Sequence, residues 1–225
     1  MLILSIDTSA IASAALLTGE GQTLAAFATE DTRTHAEVLA PGIRALLDES
    51  GIRPAQLDAL VVGVGPGPFT GLRSGIATAR TLAFAWNKPL HGVMSLDAVA
   101  AEAAGAARAA GHAEFLVATD ARRREVYWAR YGLDGNAGQL PALLDGPHVG
   151  PAAELPPLPA YGRGAGLYPD QLAAAPGFET TQPTAAALGR TAAARLAQGR
   201  QLLDTTPLYL RESDAKVPGP RKRAL

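Results

Sequence analysis

The stretch Val61–Arg80, VVGVGPGPFTGLRSGIATAR, decides how the rest of the chain is read. An apolar run ends in Gly63, Gly65 and Gly67, with Pro66 and Pro68 between them, and passes through Gly71 and Gly75 into a helical pattern. A strand that feeds a glycine-rich turn into a helix is how many proteins hold a phosphate. The spacing here does not fit. A P-loop needs Gly, four residues, then Gly-Lys-Ser/Thr; five residues separate Gly65 from Gly71, and Leu72 and Arg73 come next. The fingerprint Gly-x-Gly-x-x-Gly meets Pro68 when started at Gly63 and Thr70 when started at Gly65. The two prolines also remove backbone N–H donors that a phosphate cradle uses. What the helix start retains is a dipole that attracts anions. Packing explains the glycines better. Gly71, Gly75, Ala79 and Ala83 recur every four residues. A glycine inside a helix costs about 1 kcal/mol relative to alanine, so two of them ask for a packing reason. A stripe of small residues lets another backbone approach closely, within the chain or on a partner.

Outward from this segment, the chain alternates strand and helix patterns. Leu2–Asp7 is an apolar run that suits a buried strand, and Gly19-Glu20-Gly21 joins two apolar segments as a hairpin. Leu39, Ile43, Leu46 and Leu47 fall on one helical face, with Gly51 placed to end that helix. Pro41 implies a kink, or a helix that starts near Ala40. A strand in LDALVVGVG, the helix Thr70–Trp86, a strand in KPLHGVMS and an alanine-rich helix with Ser95 as its N-cap follow. The pattern then begins again. AEFLVATDARRREVYWARYGLDG repeats strand, aspartate, turn and strand, so that Asp120 matches Asp7. The proline-rich LPALLDGPHVGPAAELPPLPAYG reads mostly as loop, and TAAALGRTAAARLAQGR as a helix ending at Gly199. Three strands followed by strands alternating with helices, given twice, predict an α/β fold with mixed sheets. The expected division is residues 1–108, residues 109–212, and a mobile basic tail over residues 213–225.

The 225 residues suffice for one large domain or two of about 100 residues, each with its own core. Twenty basic against 21 acidic residues leave a formal charge of −1, so bulk charge does not drive nucleic-acid binding. The absence of cysteine removes disulfides, thiolate metal sites and cysteine nucleophiles, and is compatible with a reducing compartment. The N-terminus lacks a basic segment and meets Asp7 early, so it reads as a strand rather than a secretory signal. No run reaches about 18 apolar residues, so a cytoplasmic protein without a membrane span is expected.

Asp7-Thr8-Ser9 leaves two readings open: a phosphate or metal-water site at a strand end, or a polar turn capped by its own aspartate. His35 lacks a second histidine at i+4, where Leu39 stands, so no metal site is expected there. No Gly-x-Ser-x-Gly elbow occurs. The three arginines of DARRREVY are either a solvated turn or a basic spot for phosphate or RNA.

Six segments, in order, resemble the TsaB (YeaZ) family: ILSIDTSAIASAAL, THAEVLAPGIRALL, VGVGPGPFTGLRSGIATARTLAF, SLDAVA, TDARRREVYWA and PLYLRE. The resemblance spans nearly the whole chain, is strongest over Leu2–Ala100, and is thinnest over Leu140–Pro159. Pro68 stands where the family carries a serine. The resemblance implies two ribonuclease-H-like lobes of the actin/Hsp70-like ATPase fold, mixed sheets flanked by helices. It implies a required partner of the transferase TsaD in forming N6-threonylcarbamoyladenosine at position 37 of tRNAs reading codons that begin with adenine. The ATPase TsaE is a further implied partner. A homodimer is implied for the chain alone, and contact with tRNA is implied to be indirect or weak. TsaD carries a His-x-x-x-His metal pair; Leu39 replaces its second member, which implies a non-catalytic relative with no cofactor of its own. ATP or ADP is implied only at the joint with partners. The family associates through its first two helices, which here points to His35, Leu39, Ile43, Thr70, Gly71, Gly75, Ala79 and Ala83. A relic nucleotide site would fall on Asp7, Thr8 and Ser9. The alternative is a free-standing ATPase or kinase-like enzyme of the same fold, using Asp7 and Asp120.

Overall fold

Five short strands of the first half form one sheet in a computed structural model that describes residues 1–29, 35–134 and 138–211, with the side chains of residues 35 and 36 excepted. The strands are β1 (Leu2–Asp7), β2 (Ser13–Thr18), β3 (Thr23–Ala28), β4 (Ala59–Gly63) and β5 (Leu90–Val93), in the order β3-β2-β1-β4-β5. The first three pair antiparallel; β1, β4 and β5 run parallel. The parallel crossovers are α1 (His35–Ser50) and α2 (Phe69–Trp86), and α3 (Ser95–Ala109) leaves the last strand.

The second half repeats this order. Strands β6 (Glu114–Asp120), β7 (Glu125–Gly132), β8 (Ala142–Pro151), β9 (Pro159–Tyr161) and β10 (Ala173–Ala174) lie as β10-β9-β6-β7-β8, with α4 (Arg163–Leu167) between β9 and β10. Again the first three are antiparallel, and the first pairs parallel with the fourth. Two related lobes result, as the duplicated strand–Asp–hairpin pattern predicts, and they are the ribonuclease-H-like lobes of the actin/Hsp70-like fold that the family resemblance implies.

Alternation along β1 sets the layers. Leu4 and Ile6 point to one face and pack with Leu39, Ile43, Leu72 and Ile76 of α1 and α2. Ile3 points to the other and packs with Leu188 and Ala192 of α5 (Ala185–Ala197). That helix comes from the end of the chain yet covers the first sheet. Reciprocally, Leu96, Val99 and Ala103 of α3 cover Phe115, Val117 and Tyr131 of the second sheet. Each lobe is thus closed by a helix that follows the other lobe's last strand.

Asp97 joins the two covering helices. Its Oδ1 accepts from the Tyr131 hydroxyl at 2.8 Å and its Oδ2 from Arg195 of α5 at 2.6 Å. Burial raises the Asp97 carboxyl above its ordinary value of 3.8, against the pull of Arg195. Burial, and then the nearby Asp97, push the Tyr131 hydroxyl well above 10.0.

Three local expectations change. Helix α1 starts at His35 rather than near Ala40 and contains Pro41. The stretch expected as loop contains β8, ten residues long. It pairs only with β7, at the sheet edge, where prolines and glycines cost few ladder bonds. Met94, not Ser95, occupies the N-cap of α3, because the Ser95 hydroxyl is used elsewhere. The basic tail falls outside the described residues. Among the described residues, no helix is long and apolar enough to cross a membrane.

Candidate functional site

The glycine-rich turn closes onto the end of β1. Asp7 is fully buried. Its Oδ1 accepts from the Ser9 amide at 2.9 Å and the Ser9 hydroxyl at 2.7 Å. Its Oδ2 accepts from the Ser95 hydroxyl at 2.7 Å. Three of the glycines make room for one residue of this turn each. A Cβ on Gly63 would stand 1.9 Å from Asp7 Oδ2, one on Gly67 2.6 Å from the Ser9 carbonyl oxygen, and one on Gly75 2.1 Å from Thr8 Oγ1. The Thr8 hydroxyl in turn donates to the Gly71 carbonyl at 2.8 Å. The glycines therefore hold a polar turn of the same chain.

Of the two readings of Asp7-Thr8-Ser9, the polar turn matches this geometry. The side-chain oxygens of Asp7 face hydroxyls and an amide of the chain, and the carboxylate does not reach solvent. Asp120, its counterpart, binds its own turn: it accepts from the Arg122 amide at 2.7 Å and pairs with the Arg122 guanidinium at 3.4 Å. The free-standing enzyme needs these two carboxylates to face a nucleotide, and their contacts give that reading no support. Among the described residues, no group of three His, Asp or Glu side chains gathers to hold a metal.

The partner interface drawn from the small-residue stripe needs correction. Gly71, Gly75, Ala79 and Ala83 form the buried face of α2, against β1 and β4. Leu39 and Ile43 are equally buried in the first lobe's core. Leu39 and the four stripe residues are thus closed off from a partner in the folded chain, and Ile43 reaches the surface only through a groove against α2. The stripe does serve close approach, but to the chain's own sheet. Thr70 is exposed, while the side chain of His35 falls outside the described residues.

The outward side of α2 carries Thr70, Ser74, Ala77, Thr78, Thr81 and Ala85 with the exposed Arg73 and Arg80, and Phe84 among them is 90% exposed. A phenylalanine left in water forfeits about 1.5–3 kcal/mol of burial energy. On the opposite flank of α2 from Phe84, a groove of about 460 Å³ opens against α1, walled by Ile43, Leu47, Ile52, Leu82 and Trp86 and rimmed by Arg44 and Asp48. The sequence carried a signal for this surface. Position 84 lies two turns beyond Ala77 and one beyond Thr81, on the polar side of the helix.

This architecture is shared with YeaZ from Pseudomonas aeruginosa, which is 31% identical with a TM-score of 0.74, covering 93% of this chain and all of that one. The chain belongs to the TsaB (YeaZ) family. The model of the related transferase family, TsaD (tRNA N6-adenosine threonylcarbamoyltransferase), also matches residues 23–142. An uncharacterized protein of Mycobacterium tuberculosis is 41% identical over 216 residues, 95% of this chain and 93% of its own length. The Escherichia coli tRNA threonylcarbamoyladenosine biosynthesis protein TsaB is 40% identical over 136 residues, 60% of this chain and 57% of that protein. The TsaB of Bacillus subtilis is 34% identical over 133 residues, 58% of this chain and 55% of its own.

Proposed function

We propose that this chain is the non-catalytic partner of a TsaD-like transferase in forming N6-threonylcarbamoyladenosine at position 37 of tRNAs that read codons beginning with adenine. Kinship with proteins named for that biosynthesis supports the pathway. The observation that carries the role is the outward face of α2. An exposed aromatic ring on the outward side of a helix, with an apolar groove on that helix's other flank, is the anatomy of an interaction surface rather than of a catalytic cleft. The buried contacts of Asp7 support the same division of labour, since the chemistry is left to the transferase. A TsaE-like ATPase is the third member of the assembly, with ATP or ADP held at the joint between subunits. A second copy covers the α2 face when the chain is alone.

The experiment is co-purification with the transferase, with titration calorimetry on wild type and Phe84→Asp. The substitution is expected to weaken association by about 30-fold or more, the scale of a hot-spot residue. In cells relying on the variant, nucleoside analysis should show the modified adenosine depleted. Unchanged association would overturn the assigned face, and unchanged nucleoside in cells lacking the chain would overturn the role.

A further inference from the structure

On the flank of α2 away from α1, the C-terminal segment crosses the molecule as a strap. Leu203 exchanges two backbone hydrogen bonds with Gly92 of β5. Arg80 of α2 donates to the Thr205 hydroxyl at 2.9 Å and to its carbonyl at 2.8 Å. The Leu208 amide reaches the Val64 carbonyl at 2.8 Å, and Arg211 pairs with Glu125 at the start of β7. Between strap and helix lies a pocket of about 320 Å³, lined by Arg73, Ile76, Ala77, Arg80, Pro207 and Tyr209. Among the described residues, its walls carry two guanidiniums and no carboxylate.

The two arginines are held in place before any ligand arrives. Arg73 lies 3.8 Å from the centre of the Phe69 ring, an attraction that fixes the guanidinium through its face and leaves its N–H edge to donate. Phe69 also packs against Tyr209, with ring centres 4.5 Å apart and the planes tilted by 36°. Tyr209 remains 37% exposed. Arg73 and Arg80 are two helical turns apart, roughly 10 Å along the axis. Two guanidiniums in one pocket with an accessible aromatic ring suit a ligand that carries both phosphates and flat bases. Glu125, the partner of Arg211, directly follows Arg122, Arg123 and Arg124, three arginines in succession at φ of 62°, 55° and 62°. Non-glycine residues in that region cost about 1–3 kcal/mol each and cluster where backbone geometry serves a site.

We propose that this pocket is an RNA contact: Arg73 and Arg80 take phosphodiesters of a single-stranded segment, and a base lies against Tyr209. The preference for RNA over an acidic protein segment rests on the proposed place in tRNA modification as well as on the aromatic ring. The net charge of −1 does not oppose it, because a local contact depends on the two guanidiniums that line this pocket.

The test is fluorescence anisotropy with the purified full chain, without the transferase, and a labelled unmodified tRNA transcript over a range of salt. Arg73→Ala with Arg80→Ala should weaken binding at least about tenfold at low salt, and should flatten log K against log salt by about 1.4 for two single-strand phosphates. Arg73→Gln, which leaves the strap contacts of Arg80 in place, should show half of that flattening. Tyr209→Ala should weaken binding about tenfold with the salt slope unchanged, and Tyr209→Phe should bind as wild type. Circular dichroism and melting verify that each variant is folded. Binding unaffected by the arginine substitutions overturns the site. Competition by polyglutamate equal to that by a single-stranded oligonucleotide assigns it to an acidic protein and overturns the RNA reading. The transferase is absent from this assay, so loss of association through Phe84 and loss of RNA binding through Arg73 are separate failures.

Discussion

Replacing Gly75 by alanine tests the closure of the glycine turn most directly. In an isolated helix the change stabilises by about 1 kcal/mol. In this fold the new methyl would stand 2.1 Å from Thr8 Oγ1, 3.0 Å from its Cγ2 and 3.1 Å from its Cβ. Ordinary contact is roughly 3.5 Å, so α2 and the end of β1 must separate by more than an ångström or Thr8 must turn away. Forced overpacking costs about 1–3 kcal/mol. Turning Thr8 away breaks its buried hydrogen bond to Gly71, a further cost of about 1–3 kcal/mol. Set against the helical gain, the expected net loss is about 2 kcal/mol. For a chain of this size that lowers the melting temperature by about 4–8 °C. Urea denaturation followed by circular dichroism measures it in wild type, Gly75→Ala, Thr8→Ala and the double variant. The double variant should be less damaged than the two single losses combined, by about 1 kcal/mol, because Thr8→Ala removes the obstructing hydroxyl. A neutral or stabilising Gly75→Ala would refute the packing account and return the stripe to a free surface.

Asp7→Ala should destabilise the chain by about 3 kcal/mol, since three buried donors from Ser9 and Ser95 lose their acceptor; thermal melting without nucleotide reads the loss. Phe84→Ser should leave the denaturation midpoint of the isolated chain within about 0.5 kcal/mol of wild type, because the ring is 90% exposed. Thr184 caps α5 by accepting from the Ala187 amide at 3.2 Å, so Thr184→Ala should cost about 1 kcal/mol by the same measurement. Asp97 carries a pH signature. Burial raises its folded pKa above 3.8, so over the window that opens there the folded chain holds more proton than the unfolded one. Stability from this group therefore falls as pH rises through that window. Asp97→Asn, which does not titrate, should gain on wild type in urea midpoint as pH rises above the ordinary carboxylate value of 3.8, and a constant difference would contradict the assigned shift.

The strands and most helices were legible because their signals are local. Leu2–Asp7 announced β1 by its apolar run, and Leu39, Ile43, Leu46 and Leu47 announced the buried face of α1 by their period. The repeat of strand, aspartate and hairpin announced the second lobe. The failed phosphate spacing was also local, and two prolines made it firmer. β8 escaped because an edge strand tolerates the glycines and prolines that mark loops.

What the sequence by itself determined is which residues are small, which are apolar, and in what period they recur. It could establish that α2 has a narrow face, but not which way that face points. A stripe of Gly71, Gly75, Ala79 and Ala83 permits close approach by any backbone, and only tertiary structure selects β1 and its Thr8 as the neighbour. The same holds for Ser95, whose hydroxyl could cap its own helix but instead meets an aspartate 88 residues earlier in the chain. Helix exchange between the lobes, the exposure of Phe84 and the pocket of Arg73, Arg80 and Tyr209 all depend on contacts between distant segments. Local patterns fix what each segment can bury; the assembled layers decide what each one does bury, and what is left facing water.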